Sequence, residues 1–522
     1  MKSASRDTLG KHIFTFLLCF IAFGMANLNI LMSIGSILLV LTFMWHPGPK
    51  RGWKGFVSNR PAMAMAGLYL MHLLWLVNTE DFDYAANDLR IKLPLLVFAL
   101  VIGGVQITRQ QVKWVFLALS LGLWVASIHA YVNYAAMDGV FIDFRDIVRG
   151  ISHIRLSLMM VLLVVAIIFY WPELSKVWRA YALASAINVL IFFNVIQSAS
   201  GVLTLITLLL FTAYYYAYRH YAFKGLALVL AANLLCFGVT YIYLDHYYQR
   251  YFSSNESLEN LPTNTALGSD YDHYTEVGQV ENGHYTFLYL AEGEMLNAWD
   301  ERSTLSLRGE EKAMERAVLI RYLSSLGLPK DYSGVMALSE EDVRNVEAGV
   351  PSIVYARKQG LALRLHTTVF GYHLFRLRRH ASGSSLFQRL VFWEAAAELI
   401  QRHFWLGTGT GDVRKAFEEV YEELKINLAQ QYRLRAHNQF LTFFVSFGLM
   451  GFLFFMLLFF LPFRDGPLSY LHIAFLLIAF ISCLTEDTLE TQAGVTFFAF
   501  FYSLLSMPER TRGVFSGRSV EA

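Results

Sequence analysis

The stretch S-L-F-Q-R-L-V-F-W-E-A-A-A-E-L-I-Q-R-H-F-W-L-G-T-G-T-G-D, Ser385 to Asp412, is followed after a charged segment by A-H-N-Q-F-L-T-F-F-V-S-F-G-L-M-G, Ala436 to Gly451. Leu386, Leu390, Trp393, Ala397, Ile400 and Phe404 recur at alternating steps of four and three, the period of one buried helix face. Arg389 lies beside that face. Gly407, Gly409 and Gly411 end the helix and leave backbone N–H groups free. Asp412 is then placed to cap a second helix, whose Val413, Phe417, Val420, Leu424 and Leu428 oppose Glu418, Glu419, Glu422 and Glu423. His437 stands immediately before a long apolar run. One basic residue, one glycine-rich turn and one histidine are thereby delivered to a single membrane surface.

A hydrophobic content of 55%, only 16% charged residues and a mean hydropathy of +0.41 over 522 residues are the balance of a polytopic membrane protein, not of a soluble enzyme. The net charge of +2 is dispersed in short clusters between apolar runs and gives no footprint for nucleic acid. Cys19, Cys236 and Cys483 all fall inside apolar runs, which supports neither a disulfide framework nor a cysteine metal site. Lys2, Arg6 and Lys11 ahead of an apolar run, with no cleavage site and soluble domain after it, read as a first span.

Apolar runs lie near residues 12–26, 28–45, 62–78, 92–107, 113–133, 156–172, 180–197, 202–218, 224–244, 440–462, 468–484 and 494–507. They predict an all-α fold with about twelve transmembrane helices, each needing roughly 20 residues. Lys50, Arg51, Lys54 and Arg60, then Arg109 and Lys113, Lys176 and Arg179, and Arg219 and Lys224 fall in alternate connections. By the positive-inside rule these connections and both termini are cytoplasmic. The chain divides into N-terminal helices over 1–244, a mainly α periplasmic domain over 245–438, three last helices over 439–507 and a tail, 508–522. Within the inserted domain H-Y-T-F-L-Y-L (284–290) reads as a strand, and helices are expected over Glu310–Leu326 and Glu340–Ala348, with Asp331 and Ser339 as turn and cap residues. No internal repeat is evident.

Arg145, Arg149 and Arg155 lie on the outer side, against the usual charge bias, and call either for an anionic partner or for headgroup snorkelling. The Gly407–Asp412 run lacks the strand and the Gly-Lys-Ser/Thr of a nucleotide loop; it either receives a phosphate or lets two helices fold back on each other. His437 is either a helix-start residue or a base able to take a proton from a hydroxyl. Asp81 with Asp83, and Asp270 with Asp272, form D-x-D pairs that can hold a divalent ion or simply close acidic loops. Glu486, Asp487 and Glu490 sit close to hydrocarbon, where carboxylates need partners; they either cap the local turn or orient His437 or an arginine.

The pattern R-L-x-x-W-E-x-A-x-x-L-I-x-x-H-x-x-x-G-x-G-x-G-D from Arg389, then A-H-N-Q-F-L-T-x-x-V-x-F-G-L-x-G and the late T-E-D-T-L-E-T-Q-A-G-V, resembles the signature of the O-antigen ligase and polymerase-like membrane proteins. The insertion L-I-R-Y-L-S-S-L-G-L-P-K-D-Y-S-G-V, Leu319 to Val335, is similar to that of Bacteroidetes members. The resemblance is specific over about 385–500 and weak in the first hundred residues, apart from K-L-P-L-L at Lys92. It implies a GT-C-like fold in the bacterial inner membrane. It also implies an enzyme that moves a glycan from undecaprenyl pyrophosphate to an acceptor hydroxyl such as lipid A-core, with no nucleotide sugar, metal ion or other cofactor. By motif position His437 resembles the histidine that activates the acceptor. Arg389, Arg155, Arg149 and Lys92 resemble or stand in for pyrophosphate-binding residues, with Glu394, Asn438, Glu486 and Glu490 supporting them. Many members carry S-R-G at the outer end of a middle span; this chain has S-A-S-G, with Ser200 at the arginine position, so Lys92, Arg149 or Arg145 must replace it. The same resemblance covers glycan polymerases and protein O-oligosaccharyltransferases, and a lipid-linked sugar transporter is the reading from another class.

Overall fold

A computed structural model describes residues 2–136, 147–148, 151–196, 198–378, 385–426, 428, 430–465 and 468–506. Arg145, Arg149 and the tail 508–522 lie outside these residues. The first half consists of α1 (Lys2–Met25), α2 (Asn29–Trp45), α3 (Pro49–Ser58), α4 (Arg60–Leu74), α5 (Phe82–Val101), α6 (Arg109–Ala135), α7 (His153–Tyr170), α8 (Lys176–Ile196) and α9 (Ala199–Phe252). Each apolar run read from the sequence is mainly helical over its described residues, the run 92–107 leaving the helix after Val101. Among the described residues, seven helices are long and apolar enough to cross a membrane, or eight when the bent pair α2–α3 counts as one. The difference from the expected twelve has identifiable causes. Asp83, Asp88, Arg90 and Lys92 charge the first half of α5, and the last two helices are short.

The 54-residue α9 is also not one rod. In a continuous helix Tyr214 and Asn233 would stand about 28 Å apart, yet Asn233 Nδ2 donates to Tyr214 Oη at 3.0 Å. The chain therefore folds back at Ala222, whose φ of 48° and ψ of −135° leave the helical region. The two arms match the separate runs 202–218 and 224–244 of the sequence.

At the centre stands α7. Leu156, Leu158, Met159, Met160, Val161 and Leu162 are all 0% exposed, so over this stretch the helix is apolar all round and enclosed. Beside it lie α19 (Tyr470–Thr485) and α20 (Gln492–Leu505), of 16 and 14 residues. At 1.5 Å per residue they reach about 24 and 21 Å, short of a hydrocarbon core of about 30 Å. The turn that joins them is accordingly recessed into the bundle.

The polar stretch forms α10 (Glu292–Arg302), α11 (Ala313–Ser325), α12 (Tyr332–Met336), α13 (Glu340–Glu347), α14 (Ile353–Arg357), α15 (Gly360–Arg378), α16 (Ser385–Arg402) and α17 (Val413–Glu423). Trp299, Tyr322 and Leu323 centre an apolar core of its own. Asp331 caps α12 and Ser339 caps α13 through a capping box with Asp342, as the sequence predicts. The expected strand over 284–290 shrinks to a two-residue hairpin, Val280–Glu281 against His284–Tyr285. Asn282 and Gly283, both at positive φ, make the tight turn, and later residues leave the ladder to join Asp272 and Lys330. The D-x-D pairs serve turns: Asp81 caps α5, and Asp270 accepts from Asn264.

The glycine run resolves as packing. The apolar segment after His437, α18 (Gln439–Phe460), breaks at Gly448, where φ is 63°. The Phe440 and Phe459 rings lie 5.9 Å apart although a straight helix would separate them by about 28 Å. One arm therefore rises to Gly448 and the other descends along α4, with Gly451 beside Met71 and Phe454 beside Gly67. Thr408 and Gly409 N–H donate to the Val445 and Ser446 carbonyls at 2.8 and 2.9 Å, and Leu449 N–H donates to Phe404 O at 2.8 Å. The turn thus satisfies backbone groups that the break sets free, which leaves those amides unavailable to a phosphate. Asp412 heads α17 without an intrahelical cap bond. Its carboxylate accepts from the Glu80 and Asp81 amides at 2.8 and 2.9 Å instead.

Gly409 has a φ of 101°, and a Cβ there would collide with the Asn78 carbonyl oxygen. Gly409→Ala is expected to cost about 2 to 4 kcal/mol and to lower the melting midpoint of the detergent-solubilised protein. Gly293→Ala, with open space around it, is expected to leave that midpoint unchanged; equal midpoints for the two variants would contradict the clasp.

Candidate functional site

The recessed turn Thr485-Glu486-Asp487-Thr488-Leu489-Glu490 is the hub. Glu486 and Asp487 are 7% and 8% exposed, and buried carboxylates require partners. Each finds a separate set.

Glu486 Oε1 accepts from Arg389 Nη2 on α16, and Oε2 faces His437 Nδ1 at 3.2 Å. Asp487 accepts from the His437 backbone N–H at 3.1 Å and from the Thr442 hydroxyl at 2.6 Å. His437 itself has a φ of 46°, a left-handed conformation that a non-glycine residue holds only when its surroundings dictate it. The carboxylate of Glu486 keeps the imidazole proton on Nδ1 and leaves the Nε2 lone pair open. With its side chain 32% exposed, His437 is more open than Arg389 at 18% or Glu486 at 9%.

The helix α16 is docked onto this segment by Trp393, whose Nε1 donates to Ala436 O at 3.1 Å, and by Phe392, whose ring lies 5.7 Å from that of His437. Its buried face is Phe392, Ala395, Ala396 and Leu399. The stripe expected from the sequence is displaced: Leu386 and Leu390 are 50% and 45% exposed. Small Ala395 and Ala396 allow the close approach that the larger apolar residues would prevent. Glu394 is on the exposed side and takes no part in the hub. Asn438 caps the rising arm of α18, its Oδ1 accepting from Phe440 and Leu441 N–H.

Glu490 binds a second cationic set. Its Oε2 accepts from Lys92 Nζ at 2.9 Å and Arg435 Nη1 at 2.7 Å, and its Oε1 accepts from Gln439 at 3.0 Å. Lys92 also pairs with Asp88, one turn earlier on α5. At 1% exposed and shared between two carboxylates, Lys92 has no open face for a phosphate, contrary to the expectation that it stands in for the arginine missing at Ser200. Ser200 is itself buried at the start of α9, beside the cap residue Ser198.

Arg155, at the start of α7, is 5% exposed. Its Nη2 reaches Thr491 Oγ1 at 3.3 Å and the Asp487 carbonyl at 3.5 Å. Its Nε and Nη1, with Nε of Arg389, are buried and have no hydrogen-bond partner among the described residues. Such orphaned cationic donors are costly unless an anion meets them.

Sequence reasoning missed Arg435, Asp88, Gln439 and Thr442. Arg435 had one available signal, its position two residues before His437; the others are recognisable only once α5 and α18 are seen against the acidic turn. Four carboxylates, Asp88, Glu486, Asp487 and Glu490, face four cations, Lys92, Arg155, Arg389 and Arg435. Burial raises the Glu490 carboxyl, but Lys92 and Arg435 outweigh it and hold it well below its ordinary 4.5. Glu486 is likewise lowered, against the effect of its burial, by His437, Arg389 and Arg155.

A depressed folded-state pKa contributes stability above the ordinary value and loses it as pH falls through the folded value. The contribution of Glu486 and Glu490 to the melting midpoint is therefore expected to hold from neutral to about pH 5 and to be lost below that. Glu490→Gln, which removes the charge shared by Lys92 and Arg435, is expected to cost about 3 to 5 kcal/mol at neutral pH and to flatten the acid limb; an unchanged acid limb would remove Glu490 from this account.

A comparison with curated proteins gives no match to the chain. Residues 348–456, which carry Arg389, the glycine clasp and His437, match the family model described as O-antigen ligase. Over the segment that supplies Arg389, Arg435 and His437 to this site, the membrane chain is O-antigen ligase-like, as its sequence motifs imply.

Proposed function

We propose that the protein is a glycosyltransferase that moves a glycan from undecaprenyl pyrophosphate to an acceptor hydroxyl, lipid A-core in the first instance. The observation that carries this reading is the juxtaposition around Glu486: a histidine held by Nδ1 with Nε2 open, beside two arginines with unpaired buried N–H groups. The acceptor oxygen attacks the anomeric carbon as the bond from that carbon to the pyrophosphate oxygen breaks. The hydroxyl proton passes to His437 Nε2, a contribution of about 10²- to 10⁴-fold in rate. The electron pair leaves with the pyrophosphate, whose growing charge is met by Arg155 and Arg389. Direct displacement inverts the anomeric configuration, and with cationic side chains at the leaving group the reading is metal-independent. Glu486 fixes the tautomer of the base, and Asp487 fixes its backbone.

In this reading the site faces the periplasm across the inner membrane, and both termini are cytoplasmic. The alternation of basic connections supports that orientation.

A strain lacking the protein, complemented with wild type or His437→Ala, tests the proposal. Without the protein, full-length glycan should accumulate on the lipid carrier beside bare lipid A-core. His437→Ala should fail to restore transfer while still binding donor, whereas Arg389→Ala should weaken donor binding as well. Normal transfer by His437→Ala would overturn the catalytic assignment. Accumulation of single repeat units would identify a polymerase, and unglycosylated proteins beside normal lipopolysaccharide an oligosaccharyltransferase. No change in any of the three would favour transport.

A further inference from the structure

At the end of the bundle opposite to His437, a cavity of about 290 Å³ lies between α6, α7 and α8. Its walls are hydrocarbon and aromatic: Phe116 and Leu117 from α6, Leu163, Ala166 and Ile167 from α7. Its floor carries hydroxyls, but these satisfy one another. Ser120 Oγ lies 2.9 Å from Tyr181 Oη, and Trp124 Nε1 donates to Ser185 Oγ at 3.0 Å. The floor therefore makes no demand for a hydrogen-bonding ligand. From Lys113 at the mouth to Ser120 at the floor, α6 advances about 10 Å. The space is partly open along its length and mainly apolar, which suits a hydrocarbon chain.

The mouth is cationic. Arg109 and Lys113 share one carboxylate, Glu173. Arg179 lies over the Trp171 ring at 5.7 Å, and Lys176 begins the same helix. Lys113 and Glu173 line the cavity itself, and Arg109, Lys176 and Arg179 lie just beyond its lining, so the neighbourhood of the opening carries four basic residues against one acid. Trp114 and Trp178 flank the opening at 47% and 46% exposed, in the manner of rings at a headgroup level. A basic pocket between spans with an apolar interior selects an anionic headgroup attached to a chain.

We infer that this cavity binds an anionic glycerophospholipid, one acyl chain inserted between α6, α7 and α8 and the phosphate against Lys113 and Arg179. The site is separate from the transfer site and stands whether or not the proposed chemistry does. Native mass spectrometry of the full chain in mild detergent tests it, with phosphatidylglycerol, phosphatidylethanolamine and undecaprenyl phosphate as probes.

Wild type should retain phosphatidylglycerol roughly tenfold better than phosphatidylethanolamine. Lys113→Gln with Arg179→Gln should erase that preference, and Ala166→Phe, which fills the cavity, should erase retention itself. Leu117→Trp fills the same space from α6 and serves if Ala166→Phe does not fold. Equal retention of the two phospholipids by wild type, or undiminished retention by the folded filling variant, would overturn the inference. So would a preference for undecaprenyl phosphate over phosphatidylglycerol.

Discussion

The constraint on which the rest depends is the cost of burying charge. Three carboxylates within five residues, Glu486, Asp487 and Glu490, are sunk between two helices too short to carry them to the surface. Their partners come from α5, α7, α16 and the segment before α18, so electrostatic neutrality dictates which elements converge. The balance is complete as a count and incomplete as a geometry. Arg155 is opposed mainly by a carbonyl and a hydroxyl, and it keeps two N–H groups unpaired among the described residues. A site poised in this way is neutral at rest and still presents directed donors to an anion.

A second constraint is backbone satisfaction. Breaking α18 at Gly448 leaves carbonyls without helical partners, and a glycine-rich turn with no side chains in the way is the element able to reach them. That turn also seats against Asn78 and Thr79, which places the top of α4 and the start of α5 in register with α16. The position of Arg389 over Glu486 thus follows from a packing problem solved some distance away.

The apolar runs and the caps at Asp331 and Ser339 were legible in the sequence, because hydropathy and cap chemistry are local; the grouping of Arg155 with Arg389 and His437 came only with the family resemblance, since no local pattern joins residues so far apart. The roles of Lys92, Asp412 and the glycines were not legible. Lys92 reads as a free cation until Asp88 and Glu490 are seen around it, and Asp412 reads as a cap until its acceptors prove to bond Glu80 and Asp81. Periodicity misplaced the face of α16 because it counts apolar bulk, whereas the packed side there is defined by alanines. Hydropathy separated the two arms that meet at Ala222, because Arg219 and Lys224 interrupt the apolar run there, but it could not distinguish a span from a fold-back over 440–462, where the turn at Gly448 is visible only through contacts between residues far apart along a supposed rod.

The pairing of Lys92 with Glu490 joins residues 398 positions apart, so during synthesis the lysine waits for nearly the whole chain before its distant partner exists. Asp88, one turn away on the same helix, is present from the start. A local counterion lets α5 enter the bilayer as a neutral pair and hold there. When the last helices arrive, Glu490 joins an ion pair already made instead of rescuing a bare charge. The acid at position 88 is in this sense a chaperone built into the helix, relevant to assembly order more than to the finished site.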